Sequence, residues 1–396
     1  MWTGWMTVVG GIGLVALNLG LSVWIARHTR RLFRRLGSAE QALYRHRLLS
    51  QYVFGVVMLA TCIAAPLSMV RYLRPLGHAG GAIAVVLPAL VVVGLTLAHQ
   101  AIQHPVLREI RQTAETRREQ AGQALRWLAL ILVPVVLWNL AVVWIPDSIQ
   151  NALDNNRLMS LLLPLVFVTV LNLLLPLFLR WTLRARPMPA SALRDALEAF
   201  ALRAGLGKVG LYVWSSRRGR QANALVSGYL HKHIYLADYL LDHLTQEEVE
   251  AVIAHEIGHV KRHHLWIRLL LVVGWVPLVE AIGWLGDTYA PDAPDWAAVG
   301  VLLLLFFAYF GFTVRYVSRV QERQADAYVL QLGIPAPVFI SALLKLARLN
   351  QATVRLHRWD ERLQTHPSFA RRIEWIAQRA QLPSQMVDDM RATILH

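Results

Sequence analysis

The sequence predicts an all-α polytopic membrane protein of seven transmembrane helices, with a small α+β module that carries a metal-binding helix. Three observations predict it. Apolar residues make up 56% of the 396-residue chain and charged residues only 16%, a balance foreign to water-soluble domains. Several apolar runs reach the roughly 20 residues needed to cross a hydrocarbon core. A polar region from Trp181 to His264 interrupts these runs and contains Ala254-His255-Glu256-Ile257-Gly258-His259-Val260.

In chain order the expected spans are 2–26, 51–70, 80–101, 126–146, 158–180, 265–285 and 297–314. The first begins at Trp2 without a basic leader or cleavage site, so it reads as a retained span. Loops after spans one, three, five and seven are basic. Arg27, Arg30, Arg31, Arg34, Arg35, Arg45 and Arg47 follow the first, and Arg108, Arg111, Arg117 and Arg118 the third. The loops after spans four and six carry Asp147, Asp154, Asp287, Asp292 and Asp295 and are acidic; Arg71 and Arg74 make the loop after span two weakly basic. The positive-inside rule puts the N-terminus outside and the polar region inside, which in a bacterium is the cytoplasmic face of the inner membrane. The net charge of +15 therefore records topology, and no nucleic-acid partner is expected. Four regions follow: 1–180, five spans; 181–264, the catalytic module; 265–318, spans six and seven; and 319–396, a polar tail. The lone Cys62 excludes an intrachain disulfide and a cysteine-rich metal site. His99, Gln100, Gln103, Asn139, Asn172 and Glu280 fall in or at the ends of spans, where polar groups either bond neighbouring helices or line a wet cavity.

Within the module, 190–204 reads as an amphipathic helix. Val209–Trp214, Asn223–Gly228 and His233–Leu236 read as strands, the second an exposed edge. Ser215–Gln221 is a basic turn suited to anionic lipid headgroups. Thr245-Gln246-Glu247-Glu248 is a capping box. It opens a helix whose apolar stripe is Val249, Val252, Ile253 and Ile257, and which is expected to run unbroken toward Trp266. On that helix His255 and His259 are four residues apart and share a face. Their imidazoles can hold one cation, and Glu256 stands beside it as a base.

Catalytic zinc needs a third ligand and an open position. The longer motif with a glycine and a third histidine is excluded by Arg262 and Leu265. His263 would lie a further turn away, too far to share an ion with His255. His264 supports a ligand or packs the helix. Glu322 and Asp326, four residues apart on a helix expected to start at Gln321, offer a carboxylate ligand and an acceptor that orients a ligand imidazole. Their spacing alone also fits two surface acids.

These residues resemble the integral-membrane zinc endopeptidases that include the Ste-type CAAX prenyl protease and HtpX. Four motifs carry the resemblance in order: Asn223-Ala224 with Gly228; His255-Glu256-Ile257-Gly258-His259; Glu322 to Asp326 after Ser318-Arg319; and Thr365-His366-Pro367 with Arg372-Ile373. The resemblance implies one Zn2+ per chain on His255, His259 and Glu322, with Glu256 as general base and Asp326 orienting a ligand. It implies that Asn223 presents the substrate backbone, that His366 stabilises the oxyanion and that Arg372 supports the site. Seven spans resemble the prenyl-protease branch, whose helices surround a chamber. The implied activity is hydrolysis of peptide bonds in membrane-associated or lipid-modified peptides and proteins by a Glu-activated zinc water. The alternatives are an HtpX-like quality-control protease with about four spans, and a non-catalytic membrane scaffold with a structural metal.

Overall fold

A computed structural model describes residues 2–59, 61, 73–229, 231–292, 295–362 and 364–395. Among them six helices are long and apolar enough to cross a membrane: Gly10–Leu36, Gly77–Arg111, Arg117–Val143, Leu158–Leu183, His264–Tyr289 and Gly300–Gln331. The protein is thus a multi-pass integral-membrane protein with a small mixed sheet. Half of the expected span 51–70, residues 60 and 62–70, lies outside the described residues, Cys62 among them. The chain forms two compact units, Met1–Ala152 with Trp181–Leu183 and Arg218–Arg220, and Leu153–Arg180 with Arg184–Arg217 and Gln221–His396.

The first unit is built from α1 (Trp2–Leu36), α2 (Ala39–Leu48), a π-helical segment (Leu49–Phe54), α3 (Gly77–Arg111), α4 (Arg117–Val143) and α5 (Asp147–Asp154). The last lies where the sequence suggests only a loop. Ser38 caps α2, and Thr116 with Glu119 forms a complete capping box on α4. Ala26, Ala42, Leu43, Val106 and Ile110 form a buried cluster joining α1, α2 and α3. Beside it the polar side chains bond one another. Ser22 Oγ lies 2.9 Å from His99 Nδ1, Gln103 donates to the Ser22 carbonyl at 2.7 Å, and Asn18 donates to Thr61 Oγ1 at 2.9 Å. Gln100 accepts from Gln120. Helix bonding, rather than a wet cavity, explains His99, Gln100 and Gln103. Asn139 and Asn172 donate to carbonyls of their own helices.

The second unit takes in most of α6 (Arg157–Leu183), β1 (Arg186–Pro187), α7 (Ala192–Arg203), β2 (Gly210–Trp214), β3 (Ala224–Ser227), β4 (His233–Ala237) and α8 (Asp238–Leu241). The sheet order is β1-β2-β4-β3, with β2 and β4 parallel and the outer pairs antiparallel. β3 is an edge strand, as its sequence suggests; β1, only two residues long, carries too little pattern to be foreseen. The Tyr235 hydroxyl donates to the Pro176 carbonyl at 2.8 Å, and the Arg180 guanidinium lies over the Tyr212 ring at 5.2 Å. Together they fasten the sheet to α6.

The chain continues through α9 (Gln246–Lys261), α10 (His264–Tyr289), α11 (Asp295–Ala308), a π-helical turn (Tyr309–Thr313) and α12 (Val314–Gln331). It ends with α13 (Ala336–Leu349), α14 (Arg358–Arg362), α15 (Phe369–Arg379) and α16 (Ser384–Leu395). The Thr245–Glu248 capping box forms, and the Glu248 carboxylate also accepts from Ser341 Oγ at 2.6 Å and Lys345 Nζ at 2.7 Å. The start of α9 is thereby bound to α13.

Two expectations are corrected here. The helix bearing His255 and His259 does not run on to Trp266: α9 stops at Lys261, and His263 adopts a left-handed φ of 57° before α10 begins. With neither glycine nor proline at the break, local sequence gave no stop signal. The helix bearing Glu322 does not start at Gln321 either. It continues span seven through the π-helical turn to Gln331, because charged residues end an apolar run without ending a helix.

α9 and α12 approach closely at Gly258, where a Cβ would lie 3.0 Å from Ala325 Cα and 3.2 Å from its carbonyl oxygen. Both obstructing atoms are backbone and cannot rotate away. Gly258→Ala gains about 1 kcal/mol of helix propensity but incurs an overpacking cost of about 1–3 kcal/mol. The expected outcome is a lower melting temperature of the detergent-solubilised protein; an unchanged or higher one would show that the crossing tolerates a methyl group.

Candidate active site

The interior face of α9 presents two imidazoles toward α12. His255 Nε2 and His259 Nε2 lie 3.2 Å apart. From α12, Glu322 reaches between them, with Oε2 3.4 Å from His255 Nε2 and Oε1 3.4 Å from His259 Nε2. These three donors form the one metal-capable cluster of histidine, cysteine and acidic residues found among the described residues. Ligand atoms bound at about 2.0–2.1 Å to a tetrahedral zinc are separated by about 3.3 Å, so the donor set has the spacing of three corners of such a site. Glu322 is 2% exposed, and its Oε2 is buried without a hydrogen-bond partner. An orphaned buried carboxylate oxygen facing two imidazoles is the donor arrangement a divalent cation satisfies.

Each donor is held from behind. His255 Nδ1 lies 2.9 Å from Asp326 Oδ1, and Arg372 of α15 grips the same carboxylate through two nitrogens at 2.6 and 2.9 Å. This bidentate pair brings the C-terminal tail onto the site. His366, in the loop before α15, places Nε2 3.3 Å from Glu322 Oε1 and Nδ1 2.9 Å from Thr365 Oγ1. It is 62% exposed, on the open side of the cluster. Buried Glu361 holds that loop by accepting from the Ser368 amide and pairing with Arg371 at 2.8 Å. Arg319 adds donors to the Arg362 and Gln364 carbonyls. The sequence reading did not single out Glu361; no local pattern distinguishes it from a surface acid.

Glu256 lies between the donors and the edge strand. Burial, opposed by His255 and reinforced by Glu322, pushes its pKa up to about 7, and the Val226 backbone beside it favours the charged form. Burial, opposed by Glu322, lowers the pKa of His259 to about 4, whereas at His255 burial is overcome by Asp326 and Glu322, which raise its pKa to about 9, so a cation bound there displaces a proton from His255. Asn223 stands exposed at the entry to β3, where its Oδ1 accepts from the Ala224 amide at 2.9 Å. Thus the Ala224 amide of the free edge is held by the Asn223 side chain, and the Val226 backbone lies beside the Glu256 carboxyl. The fold gathers His255, Glu256, His259, Glu322, Asp326, His366 and Arg372. Asn223 belongs to the strand beside them and makes no hydrogen bond to that cluster among the described residues. Glu280 is exposed on α10 and lies outside it.

Comparison with known proteins covers the same region. Residues 187–380 match the profile of peptidase family M48. A CAAX prenyl protease 1 homolog of Oryza sativa subsp. japonica is 29% identical over 229 residues, covering 53% of this chain and 52% of that protein. A protease HtpX homolog of Sulfurovum sp. (strain NBC37-1) is 30% identical over 161 residues, covering 40% and 57% respectively. The chain thus spans about half the length of the curated relatives it matches. The crystal structure of S. mikatae Ste24p has the same fold, with a TM-score of 0.62 at 17% identity over 95% of this chain and 99% of that one. The matched stretch takes in the sheet, both metal-facing helices and the His366 loop, and this part of the membrane-embedded chain belongs to peptidase family M48.

Proposed function

We propose that the protein is a membrane-embedded zinc endopeptidase acting on membrane-associated or lipid-modified peptides and proteins, with one Zn2+ on His255, His259 and Glu322. The observation that carries this reading is the tetrahedral spacing of the three donors, set beside a free strand edge with a carboxyl of raised pKa between them. A zinc ion there would supply Lewis-acid polarisation to the attacking water and the scissile carbonyl. The chain's own groups do the rest. An extended substrate adds to β3, exchanging the Asn223 and Glu256 side chains for its own carbonyls on the Ala224 and Val226 amides. Glu256, released from Val226, takes the proton of the attacking water and returns it to the departing amine; a pKa near 7 suits both transfers. His366 donates from Nε2 to the developing oxyanion. Asp326 and Arg372 keep the His255 ring oriented.

The alternation of loop charge supports a cytoplasmic site and an external N-terminus. Two of the relatives are CAAX prenyl protease 1 homologs and others are HtpX homologs. Six spanning helices among the described residues exceed the roughly four expected of an HtpX-like protease and favour the prenyl-protease branch. A quality-control role on misfolded membrane proteins is the second reading. Cleavage profiling of a membrane proteome, wild type against Glu256→Gln, separates them. Cuts confined to a few C-terminal, lipid-modified sites support the first; cuts spread through unfolded membrane proteins support the second.

Glu256→Gln is expected to abolish hydrolysis while leaving about one zinc per chain, measured by elemental analysis of the same preparation. Hydrolysis at the wild-type rate would remove Glu256 from the base role. His366→Ala is expected to lower kcat by about 100- to 1,000-fold, as loss of one oxyanion donor does, with zinc content unchanged. A change confined to KM would instead make His366 a substrate-binding group.

A further inference from the structure

The two histidines of α9 are held from behind by different means. His255 leans on a carboxylate; His259 leans on a third histidine. His259 Nδ1 lies 2.9 Å from His264 Nδ1, and His264 Nε2 lies 2.8 Å from Gln324 Oε1. His264 is 0% exposed and opens α10, whereas Gln324 lies on α12, two residues beyond Glu322. The left-handed residue His263 makes this possible. It turns the chain between α9 and α10 so that His264 comes back against the ring of His259, five residues earlier.

Two facing ring nitrogens at 2.9 Å share one proton, and the site determines which ring carries it. His259 Nε2 faces His255 Nε2 and Glu322 Oε1, so as a metal ligand it is bare and the ring's proton is on Nδ1. His259 then donates to His264 Nδ1. His264 carries its own proton on Nε2 and donates to Gln324 Oε1, which as an amide oxygen only accepts. Every donor in the chain has one acceptor, and the order runs in one direction, from α9 through α10 to α12.

We propose that His264, backed by Gln324, is the positioning residue that fixes the tautomer and ring orientation of His259, tying the metal site to the first turn of a membrane helix. This rests on the reading of His255, His259 and Glu322 as zinc ligands. It assigns His264 a polar task rather than a packing one, and it gives Gln324, which is exposed, a role that composition would not suggest.

Zinc affinity of the full chain in detergent, measured by competition with a chromogenic chelator, tests the assignment without reference to activity. His264→Phe keeps a ring but offers no acceptor; it is expected to weaken zinc binding by about 10- to 100-fold, the usual effect of losing an outer partner of a ligand histidine. His264→Asn places Oδ1 where Nδ1 stood, and is expected to bind zinc within a few-fold of wild type. Gln324→Ala, a surface change that leaves the core intact even if the His264 variants fail to fold, is expected to weaken binding by a smaller factor. Gln324→Glu, which can only accept, is expected to retain or strengthen it. If Phe and Asn at 264 bind alike, or if Gln324→Ala matches wild type, the proposal is overturned. A wild-type protein that holds no stoichiometric zinc overturns the ligand reading itself, and this proposal with it.

Discussion

A carboxylate at 2% exposure is the constraint around which the catalytic unit is organised. Burying the Glu322 charge without compensation would cost several kcal/mol. The fold brings cations or cation-binding groups to it from every neighbouring element: two imidazoles from α9, a third from the His366 loop and, more distantly at 4.0 Å, the Arg372 guanidinium from α15. Even so, Oε2 has no hydrogen-bond partner. A divalent cation on the three donors would satisfy that oxygen, so site formation and the packing of α9, α12 and α15 are one problem rather than two.

That coupling explains which parts were legible in the sequence. His255, Glu256 and His259 are spaced by the helix repeat, and the Thr245–Glu248 box is a four-residue signal, so both could be read locally. The strands expected at 209–214, 223–228 and 233–236 agree with β2, β3 and β4 to within a residue, the first of them from its alternation. Glu322 and Asp326 had the right spacing, but spacing alone did not distinguish them from surface acids; only the order of four motifs did. The break at His263 was invisible because a left-handed histidine is set by its tertiary surroundings, here the pairing of His264 with His259 and Gln324. The length of α12 was misread because hydropathy marks where lipid ends, not where backbone hydrogen bonding ends. The anchor from Glu248 to Ser341 and Lys345 spans more than ninety residues and has no sequence signature.

The same long-range character marks the tail. Arg372 lies forty-six residues beyond Asp326, yet without it the Asp326 carboxylate would be buried beside His255 with no fixed orientation. A bidentate guanidinium fixes both oxygens at once, which a lysine could not do. The tail is therefore part of the site: α15 supplies Arg372, and Glu361, Arg371 and Arg319 hold the loop that presents His366.

The free edge of β3 gives the last step. An exposed strand edge invites unwanted pairing, and in this protein Asn223 holds one of its outward amides while the Glu256 carboxyl lies beside the other. One of these side chains is the expected base. On the proposed mechanism, a peptide that completes the sheet takes the Val226 amide and leaves the Glu256 carboxyl free at the point where a proton has to be accepted. Substrate pairing and release of the base are then the same event. In that mechanism a chain that cannot adopt the extended form against β3 would leave Glu256 beside the strand, so backbone conformation would be selected before any side chain is read.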